Sequence, residues 1–211
     1  LQKTPWEINK DILDVMQYAI VNNLGLGKLP RPTEVVRSEY PFPNMSRRDM
    51  NEEQLKLVRA WQAHHARLFD EFHSESSKYL SVLRSMNEAK RFLQYPKIYF
   101  AYQVDFRGRI YPIASNLHPQ GSEYIKSLLR FNEGKVISDP LSEKFFFSHG
   151  ANTFGKDKLS MDEKYQWVME NKQAIINTAS NPYDNDFWEQ ADEPWLFLAF
   201  AFEFKGYMEN P

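Results

Sequence analysis

A helical pattern of about forty residues, unbroken by proline, runs from Asn51 to Tyr95 and sets the first limit on the fold. Asn51 is a suitable N-cap, and two glutamates in the first turn face the positive end of the helix dipole. Apolar residues then recur at helical spacing until Pro96 ends the segment, at Leu55, Val58, Trp61, Leu68, Phe69, Phe72, Leu80, Leu83, Met86 and Phe92. A helix or broken helix of this length exceeds the usual globular helix, so it needs a neighbouring element or a ligand along its length.

Most of the remaining chain also shows helical periodicity. Thr4, Pro5 and Glu7 predict a helix start with a capping box. Further helices are predicted for residues 122–132, from Pro140, from a Ser160/Glu163 capping box to Asn181-Pro182, and from Pro194. Residues 97–113 instead have strand character on both sides of a glycine turn, which predicts a hairpin. The predicted fold class is therefore mainly α with a small β element.

The turn of this hairpin carries side chains suited to nucleic-acid contact. Arg107 and Arg109 flank Gly108, so two guanidinium groups lie beside a residue that lets the backbone approach a ligand closely. Asp105 can hold one guanidinium while the other reaches a phosphate or a base. Flat faces for bases or sugars come from Tyr102, Phe106 and Tyr111. On the residue chemistry alone, a plain surface hairpin with an Arg–Asp pair is the favoured interpretation.

Composition narrows the class of protein. Apolar residues make up 42% of the 211 residues and aromatic residues 15%, which indicates a folded chain. The net charge of −2 argues against a freestanding nucleic-acid coat protein, because such proteins carry a strong basic excess. The absence of cysteine excludes disulfides and Cys-based zinc sites, and it fits a reducing cytoplasm. No apolar run approaches ~20 residues and the N-terminus lacks a signal-peptide pattern, so no membrane association is expected.

The histidines and acidic residues show no metal-binding arrangement. His64 and His65 are adjacent on a predicted helix and point apart, whereas a helical metal site needs an i, i+4 pair. Structural or solvent-facing roles are favoured for the scattered His73, His118 and His149. The acidic residues Glu133, Asp139 and Glu143 are interpreted as solvated or capping. We expect no metal site in this chain.

The order of residues around the hairpin resembles that of a known enzyme family. Asp105-Phe106-Arg107-Gly108-Arg109-Ile110-Tyr111, then Pro119-Gln120-Gly121 and Lys126, is similar to the Asp-x-x-Gly-Arg block of the single-subunit RNA polymerases of phages and mitochondria. Thr4-Pro5-Trp6-Glu7-Ile8-Asn9 resembles the family's Trp-x-x-Asn opening to the thumb. His149-Gly150-Ala151-Asn152 and Phe197-Leu198-Ala199-Phe200, with Phe202-Glu203, resemble segments between that block and the first catalytic aspartate. These matches are colinear and span nearly the whole chain.

The resemblance implies the thumb and partial palm of a right-hand, DNA polymerase I-like fold. Residues 1–95 would form a thumb-like helical region, residues 96–137 the first palm segment with the Asp-x-x-Gly-Arg motif, and residues 138–211 a helical palm insertion. The family's next landmark is an Asp-Gly-x-x-x-Gly-x-Gln-His motif that holds the first metal-binding aspartate. It should follow soon after Glu203, but it does not occur in this sequence. We therefore expect the catalytic aspartates in a partner chain.

The resemblance also assigns nucleic-acid contacts. Arg109 and Tyr111 would lie beside the template strand and the RNA–DNA hybrid, and Gln120 and Lys126 would lie on the same surface. The full template- and hybrid-binding set is Asp105, Arg107, Gly108, Arg109, Tyr111, Gln120 and Lys126. Phosphate contacts on the long helix are expected from Lys78, Arg84, Lys90 and Arg91, with a solvated helix face as an equal alternative for each. No catalytic residue is expected in this chain.

These features predict the non-metal-binding subunit of a heterodimeric DNA-dependent RNA polymerase, a nucleotidyltransferase that is inactive alone. The chain resembles the small subunit of the split, two-chain RNA polymerases of N-four-type coliphages. A second subunit would supply the fingers and the catalytic palm that binds Mg²⁺, and nucleoside triphosphates would be the substrates. Expected partners are the DNA template, the RNA product and a single-stranded-DNA-binding or initiation factor, in the cytoplasm of a phage-infected bacterium. Two alternatives stay open: an expression fragment of an intact polymerase, and a regulatory nucleic-acid-binding module without polymerase activity.

The last predicted helix raises a packing question. Trp195 to Phe204 is apolar on every face, so a helix there must be covered all round. Part of the cover can come from the 161–180 helix and the phenylalanines at 145–147. We expect the rest from the partner chain, and Pro211 would then lie close to where that chain begins.

Overall fold

The computed structural model describes residues 1–32, 34 and 38–209. The chain divides into two compact units, one formed by Leu1–Leu29 with the chain from Ser81 onward, and the other by Pro30–Leu80. In chain order the elements are β1 (Trp6–Ile8), α1 (Lys10–Val21), α2 (Glu52–Phe92), β2 (Tyr102–Val104), β3 (Ile110–Pro112), α3 (Glu123–Ser127), β4 (Leu129–Phe131), α4 (Pro140–Thr153), α5 (Met161–Glu170), α6 (Lys172–Ser180) and α7 (Pro194–Glu209). Short 3₁₀ turns lie at Leu26–Lys28, Arg47–Asp49 and Trp188–Gln190. The predicted class, mainly α with a small β element, is confirmed, while the predicted position of Pro211 lies outside the described residues.

The long helical pattern forms α2, as predicted. Asn51 caps it, because the Asn51 side-chain oxygen accepts the Gln54 amide at 2.8 Å and the Gln54 side chain accepts the Asn51 amide at 2.9 Å. In the first unit, the C-terminal part of α2 has a buried face that joins the core. The buried Ser85 hydroxyl donates to the Asn116 carbonyl at 2.5 Å and so ties this part of α2 to the loop after β3. Beyond Ser81, the helix therefore has the packing support that its length requires.

The predicted helix start at Thr4 is wrong. Trp6–Ile8 is strand β1, which pairs antiparallel with β4 in the register Trp6↔Phe131 and Ile8↔Leu129. Trp6 stacks on Phe131 with ring centroids 4.3 Å apart. Glu7 makes no capping box, because its carboxylate accepts Arg130 Nε at 2.6 Å. The helix begins one turn later, where the Asn9 side chain caps α1 by accepting the Ile12 amide. Long-range strand pairing therefore overrides a local capping pattern.

Two other predicted helices are divided. Residues 122–132 form the short helix α3 and then strand β4, since β4 supplies the partner that β1 needs. The segment from Ser160 to Asn181 forms α5 and α6, separated at Asn171, whose side chain donates to the Trp167 carbonyl at 2.8 Å. The Ser160/Glu163 capping box is confirmed in full. Among the described residues, no helix combines the length and the apolar character needed to cross a bilayer.

Helix α7 is the centre of the first unit. It packs against α1, α3, α4 and α6. The side chains of Trp195, Phe197, Leu198 and Phe204 are fully buried. The expectation that a partner chain completes their cover is therefore wrong for these side chains, because the chain's own helices enclose them. Sequence pattern shows that such a helix needs cover, but it does not show how many helices of the same chain will fold around it.

A tight contact joins the 3₁₀ turn after α1 to the start of α7. The Trp195 indole nitrogen donates to the Gly27 carbonyl at 3.1 Å, and the Gly27 amide donates to the Glu189 carboxylate at 3.0 Å. Gly27 has φ of +54°, and a Cβ there would lie 2.6 Å from the ring of Trp188. Both the backbone conformation and the space therefore require glycine.

Gly150→Ala should destabilise the first unit. A Cβ at Gly150 would overlap the ring of Phe200, which is buried in a close-packed core. We expect a loss of about 1–3 kcal/mol in the free energy of unfolding. Gly206→Ala on α7 is the matched control, since nothing lies within 4 Å of a Cβ at that position. Thermal denaturation of the two variants measures the difference, and equal melting temperatures would contradict the packing described.

The second unit, Pro30–Leu80, contains the first part of α2 and the described residues that precede it. Trp61 packs edge-on against Tyr40, with ring centroids 5.1 Å apart. The buried His65 ring lies beside Trp61, and its Nε2 is 2.8 Å from the Ser38 hydroxyl. These contacts give His65 a structural role within the second unit.

Candidate nucleic-acid interface

The hairpin predicted between residues 97 and 113 is present. Strands β2 and β3 pair antiparallel, and Val104 lies opposite Ile110. The Gly108 amide donates to the Asp105 carbonyl at 3.0 Å, and the Asp105 amide donates to the Arg109 carbonyl at 2.9 Å. Gly108 has φ of +80°, the left-handed conformation that glycine adopts without strain. This combination is the hydrogen-bonding pattern of a three-residue hairpin loop closed by a glycine bulge.

Asp105 holds the arginines through their backbone. One oxygen of its carboxylate accepts the amides of Arg107 at 2.8 Å and Arg109 at 2.9 Å. The sequence suggested that this carboxylate would pair with a guanidinium, and the structure shows a different use. A carboxylate that accepts two amides in the turn fixes the loop and leaves the guanidinium groups able to bind something else.

The tip of the hairpin projects into solvent. Phe106 is 91% exposed, and the Arg107 guanidinium lies over its ring, 5.0 Å from the centroid. Arg109 is also exposed, and Tyr111 keeps 41% of its surface accessible. At this exposure, most of the Phe106 ring surface is accessible for stacking by a ligand. Guanidinium groups beside open aromatic faces form a surface that suits a nucleic-acid backbone and its bases.

Gln120 belongs to the same surface. Its side-chain amide donates to the Ile110 carbonyl at 3.1 Å, so the turn before α3 is tied to strand β3. The Gly121 amide closes that turn on the His118 carbonyl at 3.1 Å. Two segments that the sequence groups only through a family resemblance are therefore in direct contact.

Lys126 lies on α3 and has an acidic neighbour that the sequence did not indicate. Its ammonium group is 3.8 Å from the carboxylate of Glu193, which immediately precedes α7. Both side chains are partly exposed, at 37% and 45%. The two residues are far apart in sequence, so no local pattern could have predicted the pair. Only the packing of α3 against α7 brings them together.

Glu123, one turn before Lys126, is in an unusual environment. Burial and, to a smaller extent, the negative charge of Glu193 together raise the pKa of its carboxyl group to about 7, against the opposing effect of Lys28 and Lys126. His149 on α4 also faces Glu193, and desolvation by the surrounding protein lowers its pKa. Charged groups from several elements therefore meet beside the proposed contact residue Lys126.

Glu123→Gln should raise thermal stability at alkaline pH. A folded-state pKa of about 7 lies above the ordinary glutamate value, so this group's contribution to stability is present below the ordinary value and is lost as pH rises through about 7. Above that pH the wild-type protein carries a destabilising charge that glutamine lacks. We expect a gain of about 1 kcal/mol or less, because the group is partly solvent-screened. Melting temperatures should differ near pH ~8 and converge near pH ~5, and a difference of equal size at both would contradict this account.

The four candidate phosphate contacts on α2 are exposed. Arg84 and Arg91 are seven residues apart and share a helix face. Lys90 lies on a different face by the same geometry. Lys78, which belongs to the second unit, contacts the Glu75 carboxylate at 2.7 Å. The two arginines are therefore the pair best placed to contact one phosphate backbone.

The acidic residues named in the sequence analysis have structural contacts. Asp139 caps α4 by accepting the Leu141 and Ser142 amides, and the hydrogen bonds from Ser142 lower its pKa. Glu133 pairs with Lys97 at 2.8 Å, and Glu143 accepts the Tyr207 hydroxyl at 3.0 Å. Within the part of the chain that the structure describes, no three His, Cys, Asp or Glu side chains are grouped so that they could hold a metal ion.

Comparison with known proteins supplies the family. The family model for DNA-dependent RNA polymerase matches residues 139–211. The chain is 34% identical over 209 residues to the DNA-directed RNA polymerase of Enterobacteria phage K11, and 32% identical over 207 residues to the T7 RNA polymerase of Escherichia phage T7. The chain belongs to the single-subunit RNA polymerase family. A mitochondrial DNA-directed RNA polymerase of Neurospora crassa is 30% identical over 210 residues, so the family resemblance extends beyond phages.

These alignments cover nearly all of this chain but only a small share of each relative. Both phage alignments include 97% of this chain but 22% of the relative, and the Neurospora alignment includes 99% of this chain and 14% of the relative. The chain thus spans about a fifth of the length of the curated phage relatives it matches. The alignments also include the hairpin, α3 and α7, so the candidate surface lies within the shared region of the polymerase family.

Proposed function

We propose that this chain is the part of a DNA-dependent RNA polymerase that holds the DNA template and the RNA–DNA hybrid. The observation that carries the proposal is the hairpin tip, where one carboxylate fixes the backbone of two arginines whose guanidinium groups remain exposed. Membership of the polymerase family supports a nucleic-acid ligand for that surface. Phage relatives further favour the cytoplasm of an infected bacterium as the place of action.

Each exposed residue of the surface has a distinct role in this proposal. Arg109 makes bidentate contacts to a phosphate or sugar of the hybrid, a geometry that its planar guanidinium allows. Tyr111 packs on a ribose or base. Gln120 holds the turn before α3 against β3, and Lys126 adds a positive charge that neutralises a phosphate. Asp105 and Gly108 shape the loop that presents Arg107 and Arg109 to the hybrid.

Helix α2 acts as the thumb in this proposal, within a thumb-like region of residues 1–95. Residues 96–137 form the first palm segment and residues 138–211 a palm insertion. Arg84 and Arg91 contact the phosphate backbone from their shared face of α2. An extended helix with basic residues on one face can follow a nucleic-acid backbone and slow its dissociation.

We further propose that catalysis needs a second subunit. It supplies the fingers and the catalytic palm, whose aspartates hold Mg²⁺ and position the nucleoside triphosphate. An uninterrupted polymerase that contains these residues as one segment is the competing arrangement. Measuring the mass of the native polypeptide, and identifying what co-purifies with it, separates the two.

Hybrid binding tests the proposed surface. The polymerase, with any polypeptide that co-purifies, is titrated against a fluorescent RNA–DNA hybrid, and Arg109→Ala should weaken binding at every salt concentration. Lys158→Ala is the charge-matched control, since Lys158 is exposed in the loop between α4 and α5. Equal loss in both variants would indicate a general charge effect and would contradict the assigned role. Binding by a native chain of these residues with no partner and no polymerase activity would favour a regulatory module instead.

A further inference from the structure

In the structure, Lys126 is paired with Glu193, although the proposed function requires Lys126 to contact a phosphate. Glu193 is held firmly by its backbone: its amide donates to the Thr153 carbonyl at 3.0 Å, and its carbonyl accepts the Phe197 amide at 2.9 Å. Its side chain, in contrast, is about half exposed and reaches Lys126 at 3.8 Å, which is a loose contact for an ion pair. A fixed backbone with a loosely paired carboxylate can release its partner without unfolding.

Several titratable groups face this pair from different elements. Glu123 lies one turn before Lys126 on α3, and Lys28 lies in the 3₁₀ turn after α1. His149 faces Glu193 from α4. The Lys28 ammonium donates to the Ala191 carbonyl at 3.3 Å, which holds this second positive charge in the same region. The cluster therefore contains two carboxylates, two ammonium groups and one imidazole.

We propose that Glu193 is a displaceable counterion for Lys126, which nucleic-acid phosphate replaces while Glu123 takes up a proton from solvent. The inference rests on the proposed function, since it requires Lys126 to contact a phosphate. In the free protein the Glu193 carboxylate neutralises Lys126. In the complex a phosphate oxygen takes that position, and the Glu193 carboxylate is left without its partner beside Glu123.

Proton uptake by Glu123 follows from the change in the charges around it. Once Lys126 is engaged by phosphate, Glu123 keeps the repulsion from Glu193, loses part of the attraction to Lys126 and gains a further negative charge nearby. Its pKa, already about 7 in the free protein, must rise in the complex. The complex then binds more protons than its separate components, so the affinity for nucleic acid falls as pH rises from about 7. His149 also faces Glu193, and in the free protein burial lowers its pKa. The Glu123→Gln variant separates the contribution of Glu123 from that of His149.

Fluorescence anisotropy with a labelled RNA–DNA hybrid tests the inference on the full polymerase at constant ionic strength. Wild-type affinity should fall by about two- to fivefold between pH ~6.5 and ~8.5, and Glu123→Gln should remove that dependence. Glu193→Gln should bind about two- to fivefold more tightly than wild type at the alkaline end. Glu170→Gln, which removes an exposed carboxylate from the end of α5, should behave like wild type.

A second measurement needs no variant. Calorimetric titration of the wild-type protein with the hybrid, in two buffers of different ionisation enthalpy near neutral pH, should show net proton uptake. No proton uptake, or a Glu193→Gln affinity equal to wild type, would overturn the counterion role. If Arg109→Ala still loses binding in that case, the proposed nucleic-acid surface stands without it. Failure of the wild-type polymerase to bind the hybrid at all would overturn both.

Discussion

A polypeptide of residues 1–211 should incorporate no nucleotide into RNA. Phosphoryl transfer from a nucleoside triphosphate needs carboxylates that hold two divalent cations about 4 Å apart. In the described residues no group of side chains offers such a site, and the chain spans 22% of its phage relatives. The loss should be complete within detection, because without bound metal the reaction lacks its main electrostatic stabilisation.

The measurement is extension of a primed RNA–DNA hybrid with magnesium and all four nucleoside triphosphates. The same assay with the proposed second subunit added is the positive control, and extension should appear only then. Extension by the isolated polypeptide, after purification that removes host polymerase, would contradict the proposed division of labour. It would also mean that these residues form a metal site in a conformation other than the one described.

Replacement of Arg109 should reduce elongation by tenfold or more. The proposed contact is bidentate and charge-assisted, and the loss of one such contact costs about 1–3 kcal/mol. Lysine keeps the charge but not the planar pair of donors, so Arg109→Lys should be nearly as defective as Arg109→Ala. The exposed position of Arg109 implies that both variants fold normally.

Single-turnover extension by the complete polymerase measures this effect. Lys158→Ala serves again as the exposed-charge control and should extend primers at the wild-type rate. Melting temperature and association with the second subunit should be unchanged in the Arg109 variants. A wild-type extension rate for Arg109→Ala would remove this residue from the nucleic-acid surface.

Features that depend on nearby residues could be predicted from the sequence. Helix α2 follows from apolar spacing and from the Asn51 cap, and the hairpin follows from strand-forming residues around Gly108. The Ser160/Glu163 capping box was predicted for the same reason. Each of these signals lies within a few residues of the structure it determines.

Features that depend on distant residues could not be predicted. Thr4 to Glu7 has every local mark of a helix start, yet Trp6 and Glu7 belong to strand β1, which pairs with β4. Similarly, nothing near Lys126 in the sequence indicates Glu193, because the two meet only after α7 has packed. The use of the Asp105 carboxylate was missed for a different reason. The Asp105 carboxylate could accept either the guanidinium groups or the backbone amides of the arginines, and the turn geometry determines which of them it accepts.

The hydrogen bond from Trp195 to Gly27 can form only after the ribosome has synthesised the start of α7. The two residues are separated by 168 positions. Translation adds about 5–20 residues per second, so roughly ten to thirty seconds pass between the synthesis of Gly27 and that of Trp195. During that interval the apolar face of α1, which includes Ile12 and Met16, has no α7 to pack against. The nascent chain therefore passes through a stage in which the apolar face of α1 is exposed to chaperones and to other nascent chains.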